Sequence, residues 1–290
     1  MSAGGPPAVS VSGRGSKMFG EKRAVLVSSI STVVFFGALA IALLLAPGSR
    51  EVASDFFSWE AMKESFVGTQ TTPGIGQAFL LNVKMFLVAE VLILVLALVI
   101  AVIRQMPGPV FFPLRLVAVV YTDLFRGVPL LLVIYIFGFG IPGLDIRGIS
   151  DQDPVVLGVA ALVLSYAAYV AEVYRAGIES VHESQVAAAR SLGLSRFQSL
   201  RFVVLPQAVK RVIPPLLNDF ISLQKDTALV AVLGPIEAAR AAAIYGASRF
   251  NYSSFVVAAL LFILLTIPLA RFTDHLIERD RRRRRAGGVR

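Results

Sequence analysis

The sequence predicts an all-α membrane protein of about six transmembrane helices with a polar helix–turn–helix loop on one side of the bilayer. Three observations predict it. Of the 290 residues, 56% are hydrophobic and only 16% charged, and the mean hydropathy of +0.73 leaves too little polar surface for a water-soluble domain. Five apolar stretches are long enough to cross a hydrocarbon core of about 30 Å, and a sixth is interrupted by charge. Between two of these stretches, His182 to Pro206 forms the longest polar, alanine-rich segment.

Taken in order, residues 1–16 are mostly Gly, Pro, Ser and Ala and are expected to be disordered, with a tail extending to residue 23. Val25–Ala46 is the first span. Its basic start and Ala40-Ile41-Ala42 resemble a signal peptide, but the apolar run is about twice the usual signal core, which predicts an uncleaved anchor. Residues 24–75 thus comprise this anchor and an external segment, in which Asp55–Met62 has the pattern of a short capped helix with Trp59 at the headgroup level. Leu80–Ile103 is the second span, and Pro107 and Pro109 turn the loop after it. Pro113–Gly138 and Val155–Tyr174 are the third and fourth, joined by an external loop bearing Asp145, Asp151 and Asp153. Pro206–Leu233 is the fifth and Phe255–Phe272 the sixth. Between them, Pro235–Ser254 is expected outside, so its Glu237-Ala-Ala-Arg240 motif is assigned no role. The core of the protein is residues 76–279, followed by a basic tail at 280–290.

Composition excludes several functions. The chain has no cysteine, so it has no disulfide, thiolate chemistry or Cys-based metal site. Its two histidines, His182 and His275, have no metal-binding neighbour at a recognisable spacing, so no metal is expected. No Gly-x-x-x-x-Gly-Lys-Ser/Thr phosphate loop is present, so the chain is not an ATPase and no catalytic residues are assigned. The net charge of +9 is distributed by membrane side rather than gathered in a nucleic-acid patch. With the amino terminus inside, Arg14, Lys17, Arg104, Arg115, Arg190, Arg196, Arg201, Lys210 and the terminal arginines are all cytoplasmic, as the positive-inside rule requires. Both termini are therefore expected in the cytoplasm, with Arg281–Arg285 at the anionic membrane face.

Ionisable residues at membrane depth cost several kcal/mol unless paired or wet, so each is a candidate for function. Lys84 lies near a span end and is expected to snorkel outward; Glu90 is deeper, with no partner on its own helix. Asp123 with Arg126, and Glu172 with Arg175, are three apart and are read as structural ion pairs. In the fifth span, Asp219, Ser222 and Asp226 fall at i, i+3 and i+7 on one face, and Asn218, Ser222 and Lys225 form an adjoining line. A polar stripe in a bilayer must face other helices or water, so inter-helix bonding and lining of a path are both open. The path candidates are Glu90, Asp219, Ser222, Lys225 and Asp226.

In the polar loop, Ser184–Leu192 is good helix material with little bulk, including Ala187, Ala188 and Ala189. Gly193 stands where a left-handed cap belongs, and Ser195-Arg-Phe-Gln198 matches a capping box that starts a second helix ending near Pro206. Small residues beside a stiff turn let a partner's backbone approach. An ordinary inside loop is the alternative.

The segment resembles the EAA loop of permease subunits in bacterial ABC importers, with Ala188, Ala189, Gly193, Val203, Leu205 and Pro206 on the pattern and Ala187 where the family has glutamate. Tyr121-Thr-Asp-Leu-Phe-Arg-Gly-Val-Pro-Leu-Leu, Tyr169-Val-Ala-Glu-Val-Tyr-Arg-Ala-Gly-Ile and Asn218-Asp-Phe-Ile-Ser-Leu-Gln-Lys-Asp-Thr-Ala-Leu resemble further segments of the polar amino-acid branch. The resemblance, covering about residues 76–279, implies the type I ABC importer permease fold with an added amino-terminal helix. It implies a subunit of the bacterial inner membrane that forms an amino-acid path with a second permease, either a copy or a sister. It further implies ATP-binding cassette subunits on the elbow and an extracytoplasmic substrate-binding protein. ATP and Mg would be held by partners and no cofactor by this chain; glutamate or glutamine is the expected substrate. Coupling is then assigned to Ala187, Ala188, Ala189, Gly193, Ser195, Leu205 and Pro206. A secondary transporter or channel would also line a path with Asp219 and Asp226, but without an ATPase partner.

Overall fold

The computed structural model describes residues 14–287; the part of the expected tail at residues 1–13 lies outside them, as do 288–290. Among the described residues the chain is helical, and it divides into two units, 1–55 and 56–290. In the first unit, helix α1 (Arg14–Leu45) carries the apolar run, and α2 (Ser49–Phe56) follows it. Residues 14–23 therefore belong to α1 rather than to a structureless tail, because nothing in that segment breaks a helix that the apolar run propagates.

The second unit is built around α7 (Pro154–Glu179). The Asp153 side chain starts it by accepting from the Val155 N–H at 2.7 Å, with Pro154 in the first turn, where a missing N–H costs nothing. α7 is lined with small residues, and α4 (Ile75–Gln105), α5 (Phe112–Gly127) and α10 (Leu205–Asp226) pack around it. In a bilayer such close approach is the main source of helix association. A Cβ on Gly177 would lie 2.1 Å from Val212 Cγ1 of α10, so glycine is what admits that helix. Ile93, Ile134, Leu162, Leu223 and Val230 form the centre of this core.

The third and fifth apolar stretches differ from straight spans. The third breaks between α5 and α6 (Leu130–Tyr135) with a bend of 107°. Pro129 pushes Val128 into extended backbone (φ −98°, ψ 131°), and no helix continues through that pair. The fifth runs from α10 into a 3₁₀ segment, Thr227–Leu233, ends at Gly234 with φ +111°, and turns by 53° into α11 (Ala238–Arg249). The region expected to be an external loop is thus largely α11, whose Ala238, Ala241, Ala242 and Tyr245 pack with Ile75 and Val257 as a second core. α12 (Ser253–Gly287) closes the unit and continues through the basic run, so residues 280–287 extend a helix. Before α4, Ser58 caps α3 (Trp59–Val67), the short helix expected at the interface, which begins at Trp59 rather than Asp55. Counted by length and composition, the described residues hold four membrane-length helices, or six with each bent pair as one span.

Candidate functional site

The polar stripe of α10 faces α7. Asp219, Ser222 and Asp226, with Ser165, Tyr166 and Tyr169 of α7, line a cavity of about 220 Å³. The Tyr166 hydroxyl donates to Asp226 Oδ2 at 2.6 Å, a short charge-assisted bond that holds one carboxylate at the cavity wall. Asp219 Oδ2 and Ser165 Oγ are buried without a hydrogen-bond partner. Buried polar atoms are normally satisfied, and unpartnered ones at a cavity are where a ligand would bond. The lining has two carboxylates and no basic side chain, an arrangement that suits a cationic donor such as an ammonium group. Lys225 is exposed and lies outside the lining, as does Asn218, so of the second line only Ser222, which the two lines share, meets the cavity. Glu90 of α4 does not line the cavity.

The loop forms an elbow of α8 (Glu183–Ser191) and α9 (Arg196–Ser199). Gly193 has φ +88°; its N–H donates to Arg190 O at 3.0 Å and the Leu194 N–H to Ala189 O at 3.2 Å. Those two bonds are a Schellman cap, and the left-handed residue it needs is the glycine. The capping box forms in full: the Gln198 N–H donates to Ser195 Oγ at 3.2 Å and the Ser195 N–H to Gln198 Oε1 at 2.8 Å. Ala187, Ala188, Leu205 and Pro206 are exposed, whereas Ala189 is 6% exposed and packs inward. Ala189 therefore supports the elbow rather than presenting its surface.

The second helix does not end near Pro206. It passes through a π segment, Leu200–Val204, directly into α10. Pro206 has no N–H for the ladder, and the chain widens by one residue, with the Leu205 N–H donating back to Leu200 O. Elbow and cavity thus share one helical rod. From Leu205 to Asp219 is fourteen residues (219 − 205), about 21 Å at 1.5 Å each. Gln207 Nε2 also donates to Gln185 Oε1 of α8 at 2.7 Å, tying the first arm to the same rod.

Residues 106–282 match the family model described as "Binding-protein-dependent transport system inner membrane component". The chain belongs to that family. Among curated relatives, the permease is 36% identical to the "Probable glutamine ABC transporter permease protein GlnM" of Bacillus subtilis (strain 168) over 186 residues, 64% of this chain and 83% of that one. It is 34% identical to the "Arginine transport system permease protein ArtQ" of the same organism over 208 residues, 71% of this chain and 92% of that one. Its fold matches the crystal structure of "an amino acid ABC transporter with histidines" with a TM-score of 0.65 at 29% identity, covering 71% of this chain and 93% of the other. An inward-facing structure of the MetNI methionine ABC transporter shares the fold at a TM-score of 0.58 and 17% identity, over 70% of this chain and 94% of the other.

Of the two ion pairs read from the sequence of the permease, one forms. Glu172 pairs with Arg175 and also accepts from Arg104 Nη1 of α4 at 2.9 Å, while Arg175 reaches Glu179. Asp123 and Arg126 do not pair among the described residues; the Arg126 guanidinium lies over the Tyr169 ring, 5.8 Å from its centre. Both residues are exposed, where attraction between them is too weak to fix two side chains, and the guanidinium lies over the ring instead.

Sequence reasoning missed a buried polar network. Glu237, set aside as an external motif, is 0% exposed and caps α11: Oε1 accepts from the Arg240 N–H at 2.7 Å and Oε2 from the Ala239 N–H at 3.0 Å. Asn82 of α4 donates to Glu237 Oε2 at 2.9 Å and Thr227 Oγ1 at 3.2 Å, and accepts from the Ala238 N–H. Gln224, two residues before Asp226, accepts from Thr266 of α12 at 2.7 Å. The available signal was Asn82 itself, an amide near the start of an apolar span that requires a partner once buried.

Proposed function

We propose that this permease lines the path of an ATP-driven amino-acid importer, and that the cavity between α7 and α10 receives the substrate's ammonium group at Asp219 and Asp226. The observation that carries the reading is a cavity with two carboxylates, one of them with an unpartnered oxygen, and no basic side chain. The same charge disfavours glutamate and favours glutamine or a basic amino acid, since a net negative ligand would meet like charge. The relatives named for glutamine and for arginine are consistent with either.

In this mechanism the transporter contains a second permease, ATP-binding cassette subunits that hold ATP and Mg, and an extracytoplasmic binding protein that delivers the amino acid. The elbow docks the ATP-binding subunits on the cytoplasmic side of the inner membrane, where both termini also lie. Closing of the nucleotide-binding pair moves the elbow, and the Schellman cap and capping box keep that motion from being absorbed locally. The α9–π–α10 rod carries it to Asp219 and Asp226, opening the cavity to one side at a time.

The test is uptake by the reconstituted transporter bearing Asp226→Asn or Asp219→Asn, alongside recovery of the assembled complex. Loss of uptake with intact assembly supports the reading. Loss of assembly alone assigns the carboxylates to inter-helix bonding and refutes it.

A further inference from the structure

The elbow contains a second concavity. Between its arms and the end of α7 lies a pocket of about 360 Å³ with an apolar wall that includes Ile178, Val181 and Val204. Arg190 contributes from α8 and Arg196 from α9, one from each arm, and neither makes an ion pair among the described residues. Ser199 also lines it, 1% exposed, with its Oγ buried and unpartnered. An unpartnered buried hydroxyl is costly, and two unpaired guanidiniums beside it have the wrong sign for each other. A single anionic acceptor would satisfy the buried hydroxyl and neutralise the two exposed guanidiniums at the pocket. Both arginines are exposed, and Arg196 follows the capping-box serine directly, so the stiff turn fixes the backbone from which the two side chains reach the pocket.

The surroundings identify what supplies that acceptor. Leu192 and Phe197 stand 82% and 69% exposed on the same elbow, an apolar surface suited to protein rather than to a free ion. Along residues 183–201 the charges are Glu183 against Arg190, Arg196 and Arg201, a net of +2 (three minus one), and position 187 carries no carboxylate.

We infer that the pocket of Arg190, Arg196 and Ser199 receives an aspartate or glutamate side chain of the ATP-binding subunit, so that the permease supplies the cations of the docking contact and its partner the anion. This rests on the reading that the elbow docks such a subunit. The carboxylate accepts from both guanidiniums and from Ser199 Oγ, while its aliphatic stem lies against Val181 and Val204. Buried at the joint between the arms, the contact moves both arms together.

The test uses the full transporter. Affinity of the tagged permease for its ATP-binding subunit is measured at low and high salt for the wild type and for Arg190→Glu/Arg196→Glu. The expected result is a loss of about tenfold or more in the double variant, with most of the salt dependence gone. A second measurement uses Arg190→Lys and Arg196→Lys with a water-soluble carbodiimide. The reagent activates a carboxylate, the lysine amine displaces it to form an amide, and the reagent leaves as the urea. Mass spectrometry of the cross-linked peptides should show an acidic residue of the ATP-binding subunit. Wild-type binding and salt dependence in the double variant, with no such cross-link, overturn the inference alone. The same is true if those variants instead lose bound phosphatidylglycerol, measured by native mass spectrometry, with docking intact. A wild-type permease that holds no ATP-binding subunit at any salt refutes the docking reading beneath it.

Discussion

Replacing Glu237 with alanine should be among the most destabilising single changes in the permease, although the residue lies outside the cavity and the elbow. The side chain accepts three hydrogen bonds in a place with no access to solvent. Its loss removes the cap of α11, worth about 1 kcal/mol. It also leaves the Ala239 and Arg240 N–H groups without their acceptor and Asn82 Nδ2 with only Thr227, and an unsatisfied buried donor costs about 1–3 kcal/mol. Relief from burying the carboxylate offsets part of this, so the net loss is about 3 kcal/mol, and about half that for Glu237→Gln, which keeps one acceptor. At about 2–4 °C per kcal/mol, the midpoint of thermal unfolding should fall by about 6–12 °C in Glu237→Ala. The assay is fluorescence-detected unfolding of the purified permease, repeated with Asn82→Ala and the double variant. The double should lose less than the sum, because the two side chains share one bond. An unfolding midpoint for Glu237→Ala within about 1 °C of wild type, or strict additivity with Asn82→Ala, would refute the network as described.

Three further outcomes follow from the geometry. Gly193→Ala meets no neighbour, so its cost comes from φ +88° alone, about 1–2 kcal/mol of distortion at the elbow; ATP hydrolysis should continue while uptake falls, and Gly193→Asn should be milder. Arg104→Ala should lower thermal stability by about 1–2 kcal/mol by stripping Glu172 of its partner on α4, whereas Arg126→Ala, which breaks no ion pair, should change it by less than about 1 kcal/mol. Pro214 and Pro215 interrupt the ladder of α10 between elbow and cavity, so Pro214→Ala/Pro215→Ala should stiffen the rod and raise its unfolding temperature; a changed ratio of ATP hydrolysed to substrate imported measures whether that flexibility is used.

What was legible in the sequence depended on how far each residue stood from its partner. Ser195 and Gln198 are three apart, and Gly193 closes bonds to Arg190 and Ala189, so the elbow could be written down almost bond by bond. Its far end could not. The sequence pattern makes Pro206 a stop, but α10 packed against α7 holds the helix together across the missing donor, and the backbone accommodates it as a π turn. Asp123 and Arg126 show the converse: suitable spacing, yet a ring from α7 takes the arginine.

By itself the sequence determined the all-helical membrane class, four of the six spans as straight helices, the turn chemistry of the elbow and the family, because each is carried by local pattern or by runs of adjacent residues. Only the tertiary structure decided which side of the α10 stripe meets a cavity, that Lys225 is excluded from it, and that Asn82 and Glu237, 155 residues apart, share a buried bond. It also bent two of the spans. The physical reason is the same in each case. A polar group at membrane depth has many ways to be satisfied, and helix periodicity says which face it occupies but not what stands opposite.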